Sequence, residues 1–222
     1  MGLAQTIKDD IALMKERFPK LTLINDDGKA PSFSGILDVC DETGNWYDSF
    51  SVRLDTPVKY PYGVPRIYET GRLIERIADR HVNGDGSCCV SIDHVLLYRA
   101  SRGLTIYDFM QEFAYPYFAN QLYFKAKGRY AASEYAHGFA GVVQFYKETL
   151  HIMDAATAKI LLSSILNRTL PLRNDLCFCG SNRKFKQCHM KAAEYLQTIG
   201  RTRLENDLSG FEFYQKITEL PG

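Results

Sequence analysis

The chain has no surplus of charge of either sign, with 27 Lys and Arg against 26 Asp and Glu in 222 residues. No global field therefore draws it to nucleic acid or to an anionic membrane, and the expected partner is a protein. It also lacks any run of about 18 apolar residues, the length that a membrane-spanning helix needs. The first residues lack the basic-then-apolar layout of a secretory signal, so the expected localisation is cytoplasmic. Met1–Thr6 formally fits an N-myristoylation pattern, but Leu3, Ile7 and Ile11 repeat at helical spacing and read as an amphipathic helix. Six cysteines in a reducing compartment point to a metal or a reactive thiol before disulfides.

A chain of this length has room for one well-buried domain and a small appendage. The spacing of Leu3, Ile7, Ile11, Met14 and Phe18 predicts a helix over Leu3–Phe18, stopped by Pro19. Strands are expected at Leu21–Asn25, Ser32–Val39, Trp46–Leu54 and Arg66–Glu69, with the turn formers Asp26–Lys29 and Asp41–Asn45 between the first three. Phe50, Val52 and Leu54 alternate with polar residues, as in a half-buried antiparallel strand. Thr105-Ile106-Tyr107-Asp108 has capping-box spacing and opens a helix carrying Ile106, Phe109, Met110 and Phe113, which Pro116 is expected to kink or end. Ser133–Leu150 reads as another helix, presenting Phe139, Val142, Val143 and Tyr146 to a core. Asn167–Leu172, with Pro171, reads as a linker, and Ala192–Gly200 as a short helix. The order predicts an α+β fold: an antiparallel four-stranded meander with flanking helices.

Chemistry concentrates in His81-Val82-Asn83 and Gly86-Ser87-Cys88-Cys89-Val90, which set a thiol six residues after an asparagine on a glycine-rich loop. A free cysteine titrates near pH ~8.5, yet its sulfur is nucleophilic enough to take an acyl group from another thioester without a strong base beside it. The tetrahedral intermediate of such a transfer carries a negative oxygen, and a side-chain amide such as that of Asn83 can donate a hydrogen bond to it. Cys88 and Cys89 compete for the nucleophile's role, and either is also compatible with a small buried hydrophobe.

With the upstream Tyr60-Pro61-Tyr62-Gly63-Val64-Pro65-Arg66-Ile67-Tyr68, this order resembles the core of ubiquitin-conjugating enzymes. The resemblance covers about residues 1–150 and implies the UBC-like fold. It assigns the nucleophile to Cys89, followed by apolar Val90, and the apolar neighbour to Cys88; it implies catalytic positions at Cys89, Asn83 and His81. Val82 stands where most eukaryotic members have proline, and Thr70–Arg80 is several residues longer than expected. The stretch Tyr68–Asn83 is similar to the bacterial branch, members of which sit in the CBASS antiphage defence operons. There the acyl group comes from the C-terminal glycine of a cGAS-like nucleotidyltransferase, and the acceptor is a lysine amine. Asp85, Asp93 and His94 flank Cys89, either to assist an attacking lysine or as solvated loop residues. His137, before Gly138, either serves the thioester or is a helix-terminal histidine bonded to backbone.

Cys177, Cys179, Cys188 and His189 supply three thiols and an imidazole within thirteen residues, a ligand set suited to tetrahedral Zn²⁺. Gly180 allows the turn that brings both early sulfurs to one ion, and Phe178 and Phe185 can cover it. This C-x-C-x8-C-H pattern resembles the SEC-C motif. Four protein ligands leave no open position, so the expected zinc is structural. Arg183, Lys184, Lys186 and Lys191 form a basic patch that suits either solvation or an acidic partner.

The expected organisation is a UBC-like catalytic domain at 1–150, a helix and linker at 151–172, a SEC-C zinc motif at 173–190 and a C-terminal helix or tail at 191–222. The expected function is an acyl carrier with a thioester at Cys89. The chain has no adenylation motif of an activating enzyme. The alternative is a binding module that holds a ubiquitin-like or client protein noncovalently. A zinc-tailed nucleic-acid adaptor has only the basic patch in its favour.

Overall fold

Ile7, Ile11, Met14 and Phe18 recur at steps of three or four residues, and helix α1 (Leu3–Arg17) with the residue after it buries all of them. The computed structural model describes residues 3–25, 30–131 and 135–218, with the backbone alone at 3–5 and 215–218. The expected turn at 26–29, the first two residues of the myristoylation pattern and the terminal Pro221-Gly222 lie outside the described residues.

The chain divides into two compact units, Met1–Glu134 and Tyr135–Gly222. In the first, β1 (Leu21–Asn25), β2 (Ser32–Cys40), β3 (Trp46–Asp55) and β4 (Arg66–Glu69) form an antiparallel sheet in sequential order. Register pairs Phe33 with Leu54 and Leu37 with Phe50. Because side chains alternate across a strand, Phe33, Leu37, Val39, Phe50, Val52, Leu54 and Ile67 share one buried face. Gly35 is required at its position: its φ is 152°, and a Cβ there would lie 2.1 Å from the carbonyl oxygen of Lys20, where the chain turns from α1 into β1.

Two helical segments follow the sheet, and the second meets its apolar face, where the Phe118 ring centre lies 4.8 Å from that of Phe50. Helix α2 (Asp93–Ser101) was not legible in the sequence, where Asp93 and His94 read as loop residues. The second segment runs as α3 (Ile106–Phe109), a π-helical turn (Met110–Ala114) and α4 (Tyr115–Lys127). Thr105 caps it as expected, its hydroxyl accepting from the Asp108 N–H at 3.1 Å. Pro116 does not end this segment. It follows the π turn, whose wider hydrogen-bond step absorbs the missing proline N–H. Asp10, buried on α1, accepts from the Tyr60 hydroxyl and from the N–H groups of Ile106 (2.7 Å) and Tyr107 (3.1 Å), so α1 supplies a second cap to α3. Burial pushes the Asp10 carboxyl above its usual range, against the pull of those donors.

The second unit contains α5 (Phe139–Glu148), α6 (Ala155–Leu166), α7 (Met190–Thr198) and α8 (Arg201–Thr218), with a loop knuckle at 173–189. The boundary expected at 150 falls instead after 134, and the first residues of the helix expected at Ser133–Leu150 lie outside the described ones. The periodicity of α5 showed that its face is buried without showing against what. Phe139 and Tyr146 meet Phe211 of α8 at 5.0 and 4.9 Å between ring centres, and Phe145 meets Tyr195 of α7 at 5.6 Å. Buried Asp207 accepts from the Tyr146 hydroxyl at 2.9 Å and from Arg203 at 3.0 Å. Residues 155–166, expected in a helix-and-linker segment, bury Ala158, Leu161 and Leu162 in this unit's core.

Gly35→Ala is expected to destabilise the first unit by about 2–4 kcal/mol, because backbone rather than a mobile side chain occupies the new methyl's place. Urea unfolding monitored by the fluorescence of Trp46 measures it.

Candidate functional site

The residues from Val82 to Cys88 fold into a tight hairpin. The Asn83 N–H donates to the Ser87 carbonyl and the Gly86 N–H to the Asn83 carbonyl, each at 2.9 Å, while Val82 faces Cys88 as an antiparallel pair. Gly86 has φ 88°, the left-handed conformation that closes such a loop. It is also packed closely, since a Cβ would lie 2.8 Å from the Glu69 carbonyl oxygen and 2.9 Å from an Arg76 terminal nitrogen.

The hairpin docks along the end of β4. The Glu69 N–H donates to the Gly86 carbonyl (2.8 Å) and the Cys88 N–H to the Ile67 carbonyl (2.9 Å), with Tyr68 facing Ser87. Neighbouring side chains on this extended arm point to opposite faces. Cys88 turns inward, and burial pushes its thiol up to about 12. Cys89 turns outward and is exposed.

Asn83 and Cys89 come together as expected from the sequence: the Asn83 Nδ2 donates to Cys89 Sγ at 3.5 Å and to Ser87 Oγ at 2.9 Å. The Cys89 thiol lies above its ordinary range, first because surrounding atoms desolvate it and then because of the carboxylates of Asp93 and Asp85, while the Asn83 donor pulls the other way. At neutral pH it is a thiol with a small thiolate fraction, and any reaction at this sulfur, acylation or oxidation, waits on its ionisation.

The other expected residues divide. Asp85 is exposed at the hairpin tip and held below the usual carboxylate range, first by the Ser87 N–H and then by its hydroxyl. Asp93 is exposed in the first turn of α2, close enough to act on Cys89 through its charge. His94, on the same turn, is fully buried on α2, so it is not a solvated loop residue. His81 has φ 52°, accepts the Cys89 N–H through its carbonyl at 2.8 Å and packs its ring edge-on to Tyr130. It shapes the loop through backbone. His137 is exposed in the second unit, just before α5. Ser87 escaped the sequence reading, although Asp85-Gly86-Ser87 is a turn-forming triplet whose carboxylate reaches the backbone two residues on.

The second unit holds a different constellation. The ligand atoms of Cys177, Cys179, Cys188 and His189 lie within 4.8 Å of one another. Cys177 Sγ is 3.3 Å from His189 Nδ1, Cys188 Sγ is 3.4 Å from the same nitrogen, and Cys179 Sγ is 3.5 Å from Cys188 Sγ. A tetrahedron with metal–sulfur bonds of about 2.3 Å and a metal–nitrogen bond of about 2.0 Å has edges of roughly 3.5–3.8 Å, so these residues are arranged to hold a metal ion. Residues 173–191 match the SEC-C motif. No curated protein and no solved structure matches the chain.

The SEC-C motif is built as a small ribbon, with the Cys177 N–H on the Arg183 carbonyl (2.8 Å) and the Phe185 N–H on the Asp175 carbonyl (2.8 Å). Gly180, φ 74°, makes the turn after Cys179. The Phe178 ring stacks on His189 at 5.4 Å and 21°, fixing the imidazole plane. Cys177 and Phe185 are buried, and the Phe178 ring centre lies 6.1 Å from that of Phe185. Arg183, Lys184 and Lys191 of the basic patch are exposed and Lys186 is half-buried. Among the described residues, no helix is long and apolar enough to cross a membrane.

Iodoacetamide is expected to modify Cys89 and spare Cys88, with a rate that climbs with pH through the alkaline range as the raised thiol ionises. Asp93→Asn removes a charge that opposes ionisation and should speed the reaction near pH ~8 by about two- to threefold; peptide mass spectrometry quantifies it. For the SEC-C motif, one equivalent of Co²⁺ should give the thiolate charge-transfer absorption of a tetrahedral site. Chelation should then remove hydrogen-exchange protection from residues 173–199 while leaving β1–β4 protected.

Proposed function

We propose that the first unit is a UBC-like acyl carrier, in which Cys89 takes the C-terminal glycine acyl group of a partner protein and passes it to a lysine amine. The observation that carries this reading is the Asn83 amide donor 3.5 Å from an exposed Cys89 on a hairpin pinned to the sheet. The sequential antiparallel meander with helices on its apolar face also supports the UBC-like fold.

The chemistry runs in two balanced exchanges. The Cys89 thiolate attacks the carbonyl of an incoming thioester, a tetrahedral oxyanion forms within reach of the Asn83 NH₂, and the donor thiolate leaves. A lysine amine then attacks the Cys89 thioester. The same amide faces the second oxyanion, the Cys89 thiolate departs, and the amine's proton passes to water or to Asp85 or Asp93. The two carboxylates also favour approach of a cationic lysine. In a bacterial defence setting the donor would be a cGAS-like nucleotidyltransferase with a C-terminal glycine, activated by a separate enzyme.

Zn²⁺ is the metal that three thiolates and one imidazole suit best. Cys177, Cys179, Cys188 and His189 would fill its tetrahedron and leave no position for a reacting water, so its contribution is to the stability of the second unit.

Wild type, Cys88→Ala, Cys89→Ala and Cys89→Ser are to be recovered from the native host and weighed intact before and after treatment with excess thiol, which cleaves a thioester by exchange. The expected result is a thiol-cleavable protein adduct on wild type and Cys88→Ala, none on Cys89→Ala, and a thiol-resistant ester on Cys89→Ser. Asn83→Ala should slow discharge of the adduct to lysine by about two to three orders of magnitude, the cost of one oxyanion donor. No adduct on any variant, with a partner retained equally by all of them, would instead assign the unit as a noncovalent binding module.

A further inference from the structure

An asparagine amide has two ends of similar shape and opposite chemistry, and only its NH₂ end can stabilise an oxyanion. Something must therefore fix which end faces Cys89. The hairpin tip contains a chain of hydrogen bonds that does so. Asp85 is ionised, hence an acceptor only, and its Oδ1 takes both the Ser87 N–H at 2.9 Å and the Ser87 hydroxyl at 2.7 Å. The single hydroxyl proton is thereby committed. What Ser87 Oγ offers to Asn83, 2.9 Å away, is a lone pair. A lone pair is met by the NH₂ and repels the carbonyl oxygen, and that same NH₂ is 3.5 Å from Cys89 Sγ.

We propose that Ser87 and Asp85 are positioning residues, Asp85 setting the polarity of the Ser87 hydroxyl and Ser87 holding the Asn83 amide with its NH₂ toward Cys89. The catalytic consequence rests on the acyl-carrier reading; the orientation itself does not. Both groups lie on the same five-residue turn as Asn83, and the turn is closed by backbone bonds that none of these side chains makes. The amide is thus aligned before any substrate arrives, and loss of the Ser87 hydroxyl frees it to rotate without opening the loop.

The measurement is the pH profile of Cys89 alkylation by iodoacetamide, followed by peptide mass spectrometry, on the full chain. Ser87→Thr and Ser87→Val form the decisive pair, because they have nearly the same size and differ in the hydroxyl, and both suit an extended arm. Losing the Asn83 donor raises the thiol's pKa, so Ser87→Val should react about threefold more slowly than wild type near pH ~8, with its profile displaced to higher pH. Ser87→Thr should keep the wild-type profile. Asn83→Ala should show the same displacement as Ser87→Val, and the double variant Asn83→Ala/Ser87→Val no more than either. Equal profiles for the Thr and Val variants, or displacements that multiply in the double variant, would overturn the proposal.

Alkylation needs no acyl donor, which separates the two readings. The expected alkylation pattern without any host-derived adduct would reject the carrier and keep the positioning chain. An adduct on wild type, with Ser87→Val and Ser87→Thr reacting alike, would reject the positioning chain and keep the carrier.

Discussion

The first unit depends on the docking of a seven-residue hairpin against the end of β4. Two backbone hydrogen bonds, Glu69 N–H to Gly86 and Cys88 N–H to Ile67, continue the sheet's ladder into what would otherwise be a loop. Once they form, the alternation of an extended chain decides the fate of two adjacent cysteines. One thiol is driven into the interior, where burial keeps it protonated, and the other is turned to solvent beside an amide. The close approach at Gly86 follows from the same docking, since any side chain there would lift the hairpin from Glu69 and Arg76.

Elements distant from the thiol serve this arrangement. The meander supplies β4, and α1 is tied to α3 through Asp10, whose buried carboxyl joins Tyr60 to the first turn of α3. Tyr117 of α4 reaches the Arg80 carbonyl at 3.0 Å and so holds the approach to the hairpin. The sheet thus positions Asn83 and Cys89, and α4 holds the chain that enters the hairpin. The second unit solves a different problem. Its helices bury aromatic faces against each other, and the SEC-C ligands occupy a loop that has too few apolar residues to order itself without a shared core or a bound ion.

Local periodicity made the four strands, α1 and the capped start of α3 legible, because those signals are written in consecutive residues and the physics that reads them is local. The metal cluster was legible for the same reason: its ligands lie within thirteen residues and their chemistry requires no distant partner. Elements failed to show where the deciding contact came from elsewhere. Helix α2 carries a weak periodic pattern and is ordered by burying His94, Leu96 and Ala100. The affiliation of α5 with α7 and α8 was hidden because an apolar stripe announces burial and never its partner. Pro116 read as a kink or an end because the π turn that precedes it has no sequence signature of its own.

By itself, then, the sequence determined the α+β alternation, the meander, the turn glycines and the soft-donor cluster at Cys177, Cys179, Cys188 and His189, all through interactions between near neighbours. Tertiary structure alone decided which of two adjacent thiols reaches solvent, that the His81 carbonyl takes the Cys89 N–H and His94 lies in the core, that His137 belongs with the second unit, and that Ser87 stands between Asp85 and Asn83. Those outcomes turn on the direction of a side chain at a docked backbone. Direction is set by what the backbone is hydrogen-bonded to across the fold, and no spacing along the chain encodes it.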